Sequence, residues 1–259
     1  MRRRHRTPDV IAISEHELTV MTGDLEQIHQ DVGLPAMEAA IGEWNERTRT
    51  SRRGFLIGAG ALAGGGVLAA CSSGSSSPTT TMGGSRAAPS AKLTGDLAVA
   101  ALAASLENLA VAAYRDVLTA AAAGKLGTVP PAVATFASTV KGQHTQHAQA
   151  WNSAIVAAGH KAVTTPDPVL VPVVTKDFAK VTDVTGAAKL ALMLEDIAAA
   201  TYQSAVGALR ATASIKVAAS IQPVEMQHAA ILNFILGQYP VPNAFSPLTP
   251  ARPLTDYTA

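Results

Sequence analysis

Leu106-Glu107-Asn108-Leu109-Ala110-Val111-Ala112-Ala113-Tyr114 and Leu194-Glu195-Asp196-Ile197-Ala198-Ala199-Ala200-Thr201-Tyr202 are one pattern written twice. Each sets a single Glu in an Ala/Leu-rich run, with a Tyr seven residues later, two turns along the same helix face. A second match lies downstream of each copy. Gln146-His147-Ala148 follows the first and Gln227-His228-Ala229 the second, and an Asn stands five residues after each His, at Asn152 and Asn233. The matched residues are polar in apolar surroundings, so shared hydrophobicity alone does not produce the match. The repeated unit is a pair of helices, present in two copies.

Working outward, the pattern is helical throughout. Leu97 to Ala123 lacks Pro and Gly and ends at Gly124 and Gly127, with Asp96 placed to cap its start. Pro130-Pro131 suit the first turn of a second helix, which runs to Gly159. Pro166, Pro168 and Pro172 interrupt residues 160–183. A third helix is expected over 184–213, and a fourth from Ser214, its cap, to about Gly237. Pro223 either bends the fourth helix or marks its true beginning. Short turns make each pair an antiparallel hairpin, and the long 160–183 connection suits a crossover between two hairpins of a four-helix bundle. The fold class is all-α, with the bundle over 92–238 and a Pro-rich tail over 239–259.

Past Cys71 the chain has three glutamates, Glu107, Glu195 and Glu225, all in Ala/Leu-rich helical stretches. A charge there is costly unless it is paired or binds a metal. Three of the four histidines in the same region, His144, His147 and His228, occupy similar stretches. Glu225 and His228 are three apart and share a helix face. Glu-x-x-His on one helix and a lone Glu on the preceding one make half of a carboxylate-bridged two-metal site.

On these residues the domain resembles the ferritin-like superfamily, and more narrowly its exported bacterial branch. The resemblance implies metal ligands at Glu107, His147, Glu195, Glu225 and His228. The position three before His147, where the family pattern has Glu, is His144 here. Three carboxylates and three imidazoles leave a charge of +1 against two divalent ions. This donor set suits iron or manganese, with zinc or copper as further candidates, and not calcium. Gln143, Gln146, Tyr114 and Tyr202 are expected as hydrogen-bond partners around the ligands.

Upstream, Thr50-Ser51-Arg52-Arg53-Gly54-Phe55-Leu56 resembles a twin-arginine export signal. An apolar stretch over 55–70 leads to Leu68-Ala69-Ala70-Cys71, which resembles a lipobox, so lipid on Cys71 would hold the protein to the outer face of the cytoplasmic membrane. The other reading of 55–70 is a transmembrane anchor, for which it is short and Gly-rich. A single Cys excludes a disulfide framework. Residues 72–91 are Ser, Gly, Thr and Pro in the main and form a tether. Residues 1–49 have uncertain status: a segment lost with the leader, or one preceding a true start at Met37.

Past Cys71, 12 Lys/Arg against 10 Asp/Glu give a net charge of +2, which offers no basic face for nucleic acid. The expected partners are the membrane, the twin-arginine machinery and a second copy packed on an Ala-rich helix face. The functional readings are a redox centre of oxidase, ferroxidase or peroxide-consuming type, or a non-enzymatic metal-sequestering or structural lipoprotein.

Overall fold

The computed structural model describes residues 11–46 and 93–255. Arg52, Arg53, Cys71 and the tether lie outside them. The helices are α1 (Glu15–Ile28), α2 (Asp96–Ala122), α3 (Pro131–Ala157), α4 (Val171–Phe178), α5 (Val184–Ala208) and α6 (Thr212–Ile235). A π-helical turn, His29–Gly33, follows α1, and the chain stays helical over 34–46. Among the described residues there is no strand.

α2 with α3 and α5 with α6 are the two hairpins, and they face each other through α2 against α5 and α3 against α6. The α2–α3 turn closes through Gly124 and Gly127, which take φ near +70°, a region other residues rarely visit. The Ala-rich faces bring the backbones close, and Trp151, Tyr202, Phe136 and Ile221 fill the core between them. Each such large apolar side chain contributes about 1.5–3 kcal/mol on burial. α2 is long and apolar enough to cross a membrane, but most of its apolar length is buried in the bundle.

Helix ends differ from expectation in instructive ways. Gly95, not Asp96, caps α2. Asp96 instead accepts hydrogen bonds from the backbone of Arg210 and Ala211, so it serves the start of α6 and joins the two hairpins. Asp183 caps α5, accepting from Gly186 N at 2.7 Å. α6 begins at Thr212, two residues before Ser214, so Pro223 lies inside a helix and does not mark its start.

The crossover is pinned at Val163. Asn108 and Asn152 both donate to its carbonyl at 2.9 Å, and Val163 N donates to Asn152 Oδ1 at 2.7 Å. The repeat partner Asn233 donates to Pro240 O, holding the chain after the second hairpin. The crossover then forms α4, whose Val174 packs with Leu109, Ala113 and Leu194 across the α2–α5 seam. Beyond α6, Arg252 on the tail reaches the buried Asp167 of the crossover.

Residues 1–49 carried no expected fold, yet residues 11–46 pack on α3 and α6. A capping box starts α1: Glu17 N donates to Ser14 Oγ, and Glu17 accepts from Ser14 N. Leu18, Thr22, Leu25, His29, Gly33, Met37 and Ala40 form the buried face. Successive four-residue steps would rotate that face by about 40° each in a regular α-helix, and the π turn absorbs this drift. Gly33 is required there, since a Cβ would lie 2.9 Å from His29 Nδ1.

Replacing Asn152 by Ala leaves the buried Val163 N–H without its acceptor. Urea unfolding of the variant is expected to show a loss of about 1–3 kcal/mol.

Candidate metal centre

The six expected ligands converge at the middle of the bundle, each between 0% and 1% exposed. α2 supplies Glu107, α3 His144 and His147, α5 Glu195, and α6 Glu225 and His228. Helical spacing brings each pair on α3 and α6 to one face, and bundle packing turns those faces together.

Two overlapping groups result among the described residues: Glu107, His144, His147 and Glu225, and then His144, Glu195, Glu225 and His228. Within each group one donor atom per residue lies within 4.8 Å of the others. Glu225 stands between the groups. Its Oε1 lies 3.0 Å from His147 Nδ1 and its Oε2 lies 3.4 Å from His228 Nδ1. His144 is likewise shared. Its Nδ1 is 2.7 Å from Glu107 Oε2, and its Nε2 is 3.3 Å from Glu195 Oε1.

The tyrosines cross between the hairpins. Tyr114 on α2 donates to Glu195 Oε1 at 2.5 Å, and Tyr202 on α5 donates to Glu107 Oε1. Trp151 Nε1 donates to the Tyr202 oxygen at 2.9 Å. Tyr202 therefore holds one oxygen of Glu107 and leaves the other to the histidines, while Tyr114 shares Glu195 Oε1 with His144 and leaves Oε2 to His228. Burial, then the adjoining Glu195 and Glu107 carboxylates, raise Tyr114 and Tyr202 above the ordinary phenol range.

Of the glutamines, Gln143 meets the cluster directly: its Oε1 lies 2.7 Å from His228 Nε2. Gln146 does not. It bonds His29 at 2.9 Å, and His29 packs edge-on against His147 with ring centroids 5.2 Å apart. Glu26 and His29 were missed at the sequence level. Their signal was Ser14-x-x-Glu17 followed by the Leu18, Leu25, His29 stripe.

Burial opposes charge in the cluster, but for Glu107, Glu195 and the three histidines their mutual attraction outweighs it. Against desolvation, His147 and hydrogen bonding from His144 hold Glu107 down to about 2. Glu195 is held well below the usual range by His144 and His228. Against desolvation, Glu107 and Glu225 raise His147 to about 9, and Glu225 and Glu195 raise His144 well above the ordinary imidazole range. Imidazolium protons thus supply the positive charge that the carboxylates demand. The balance is incomplete in hydrogen-bond terms: both ring nitrogens of His147 and both oxygens of Glu225 are buried without a hydrogen bond of good geometry. Unsatisfied buried acceptors and imidazole nitrogens converging on shared points fit a transition-metal cation.

A buried cluster of this kind inside two facing helical hairpins defines a helical-bundle protein with a core suited to metal. The sequence match agrees: the model of the ferritin-like domain family covers residues 95–238, more than half of the chain, and the protein belongs to that family. No curated protein and no solved structure matches the chain.

The shifts carry a pH signature for the chelator-treated protein. His147 is raised from 6.5 to about 9, so its contribution to stability is complete below 6.5 and lost as pH rises through about 9. Glu107 is lowered from 4.5 to about 2, so its contribution is present above 4.5 and lost as pH falls through about 2. The urea midpoint is expected to decline between pH 6.5 and 9, and a flat midpoint there would contradict the charge state assigned to the cluster.

Proposed function

We propose that the bundle core binds transition ions, iron or manganese first, at two positions that share Glu225, with His144 available to one of them at a time. The observation that carries this reading is the Glu225 carboxylate, fully buried, unbonded and set between two groups of donors. Glu107 and His147 would hold one ion, and Glu195 and His228 the other. Ions held there would supply electron transfer toward dioxygen or peroxide. The chain's own part is to fix the carboxylates through Tyr114 and Tyr202 and to keep bulk water out. A small cavity of about 10 Å³ lined by Leu106, Leu109, Ala110, Leu170 and Leu194 lies beside Glu107 and His144.

A second reading is capture without turnover, and His144 favours it. An imidazole in a carboxylate's place leaves the two-ion state with an uncompensated charge, which weakens a second ion relative to the first.

We also propose export by the twin-arginine route with lipid on Cys71, on the strength of Arg52-Arg53 and the lipobox-like stretch. Residues 11–46 pack on the bundle, so either a lasting crossing by 55–70 or export with cleavage before Cys71 would have to release that contact.

Elemental analysis of chelator-free protein beside a Glu107→Ala/Glu225→Ala variant tests the main reading. About two iron or manganese per chain, lost in the variant, is the expected outcome for a two-metal centre. One zinc or copper per chain would favour capture, and none would sink both readings. Intact mass of the membrane-fraction protein tests the export proposal. An acylated chain starting at Cys71 is expected, and retention of residues 11–46 would overturn it.

A further inference from the structure

Gln143 is buried, and both ends of its amide are engaged. Its Nε2 donates to Glu26 Oε2 at 2.8 Å, and its Oε1 faces His228 Nε2 at 2.7 Å. Glu26 sits on α1, outside the region matched by the family model, and is itself steadied by Gln30, whose Nε2 donates to Glu26 Oε1 at 2.8 Å. An ionised carboxylate only accepts, so Glu26 dictates which way round the Gln143 amide lies. The amide oxygen turned inward also only accepts, so His228 must present Nε2–H to it. The remaining ring nitrogen, Nδ1, is the one directed at the cluster, 3.2 Å from Glu195 Oε2 and 3.4 Å from Glu225 Oε2.

We infer that Glu26 is a positioning residue of the metal centre: acting through Gln143, it holds the proton of His228 on Nε2 and so presents Nδ1 to the ion. This role rests on the metal reading of the cluster. Metal-bound histidines commonly donate their far N–H to a carboxylate or carbonyl, which fixes tautomer and ring orientation. Here the carboxylate acts through an interposed amide and arrives from a helix that precedes the bundle. Without Glu26 the amide is free to turn, its NH2 faces His228 Nε2, and the ring proton moves to Nδ1, where the ion must sit.

The relay serves one of the two ligand groups. His147 has no equivalent, because Gln146 is spent on His29 and His147 Nε2 has no hydrogen-bond partner. Cleavage before Cys71 would also remove Glu26, so a processed chain would hold His228 less firmly than the precursor.

The test uses the full 259-residue chain, kept unprocessed, with Zn2+ titrated calorimetrically against a competing chelator. It compares wild type, Glu26→Leu and the exchanged pair Glu26→Gln/Gln143→Glu. In the exchanged pair the carboxylate, now on α3, still accepts from His228 Nε2–H, while the amide, now on α1, donates to that carboxylate. Glu26→Leu is expected to weaken zinc at the His228 group by about 10- to 100-fold, the usual cost of removing such a partner. The exchanged pair is expected to return affinity close to wild type. Histidine 15N spectra of the zinc form should show Nε2–H and zinc-bound Nδ1 at His228 in wild type and in the exchanged pair. Equal affinity in wild type and Glu26→Leu overturns the inference. So does an exchanged pair no tighter than Glu26→Leu, since that pattern reports lost packing of α1 and not a relay. A wild-type chain that takes up no zinc fails the metal reading itself, a result distinct from both.

Discussion

Three carboxylates lie at the centre of a bundle whose walls are alanine, leucine and valine, and the surrounding structure answers the cost of putting them there. An isolated carboxylate in such a place would take up a proton instead of remaining charged. Glu107 and Glu195 are held ionised by His144 and His228 at about one hydrogen-bond length and by His147 3.6 Å from Glu107. The tyrosine hydroxyls take the lone pairs that the histidines do not reach. Removing a histidine partner of Glu107 or Glu195 would leave a carboxylate in low dielectric without its counter-charge. The same demand for positive charge that protons meet in the metal-free chain is one that metal cations can meet.

The two hairpins are tied at their centre by a reciprocal exchange. Tyr114 on the first bonds Glu195 on the second, while Tyr202 on the second bonds Glu107 on the first. Duplication explains why these contacts come in pairs. The departures from symmetry are equally informative. α3 carries His144 where α6 carries Glu225, so the one imidazole touches both single glutamates and the one carboxylate lies between both remaining histidines. Such an arrangement gives the two donor groups unequal charge and unequal support.

The segment over 11–46 adds to that inequality. It docks on α3 and α6, the helices that carry the His/His and Glu/His pairs, and two of its polar residues, Glu26 and His29, meet different halves of the cluster. Glu26 connects with His228 by way of Gln143, whereas His29 lies against His147. Burial and the charge of nearby His147 push His29 down to about 4, so it stays neutral and adds no further positive charge beside His147. The π turn and Gly33 are what allow His29 to face inward without breaking the docked stripe.

Local chemistry determined much of this protein from sequence alone. Helix limits follow from Pro, Gly and capping residues acting within a turn or two, and the Glu and His positions stand out because charge is rare in such apolar helices. The duplicated pattern was enough to pair the helices and to name Glu107, His147, Glu195 and His228, with Glu225 and His144 added by their place three residues before a His. What neighbours do to one another across space was not legible. Asp96 looked like the cap of its own helix but serves the next hairpin, and Tyr114 and Tyr202 lie on the faces of their own glutamates yet bond those of the opposite hairpin. Residues 11–46 carry a capping box and a buried stripe, but nothing local says which surface the stripe will cover. That choice, and with it the link from Glu26 to His228, depends on complementarity between segments far apart in the chain, which only the folded protein decides.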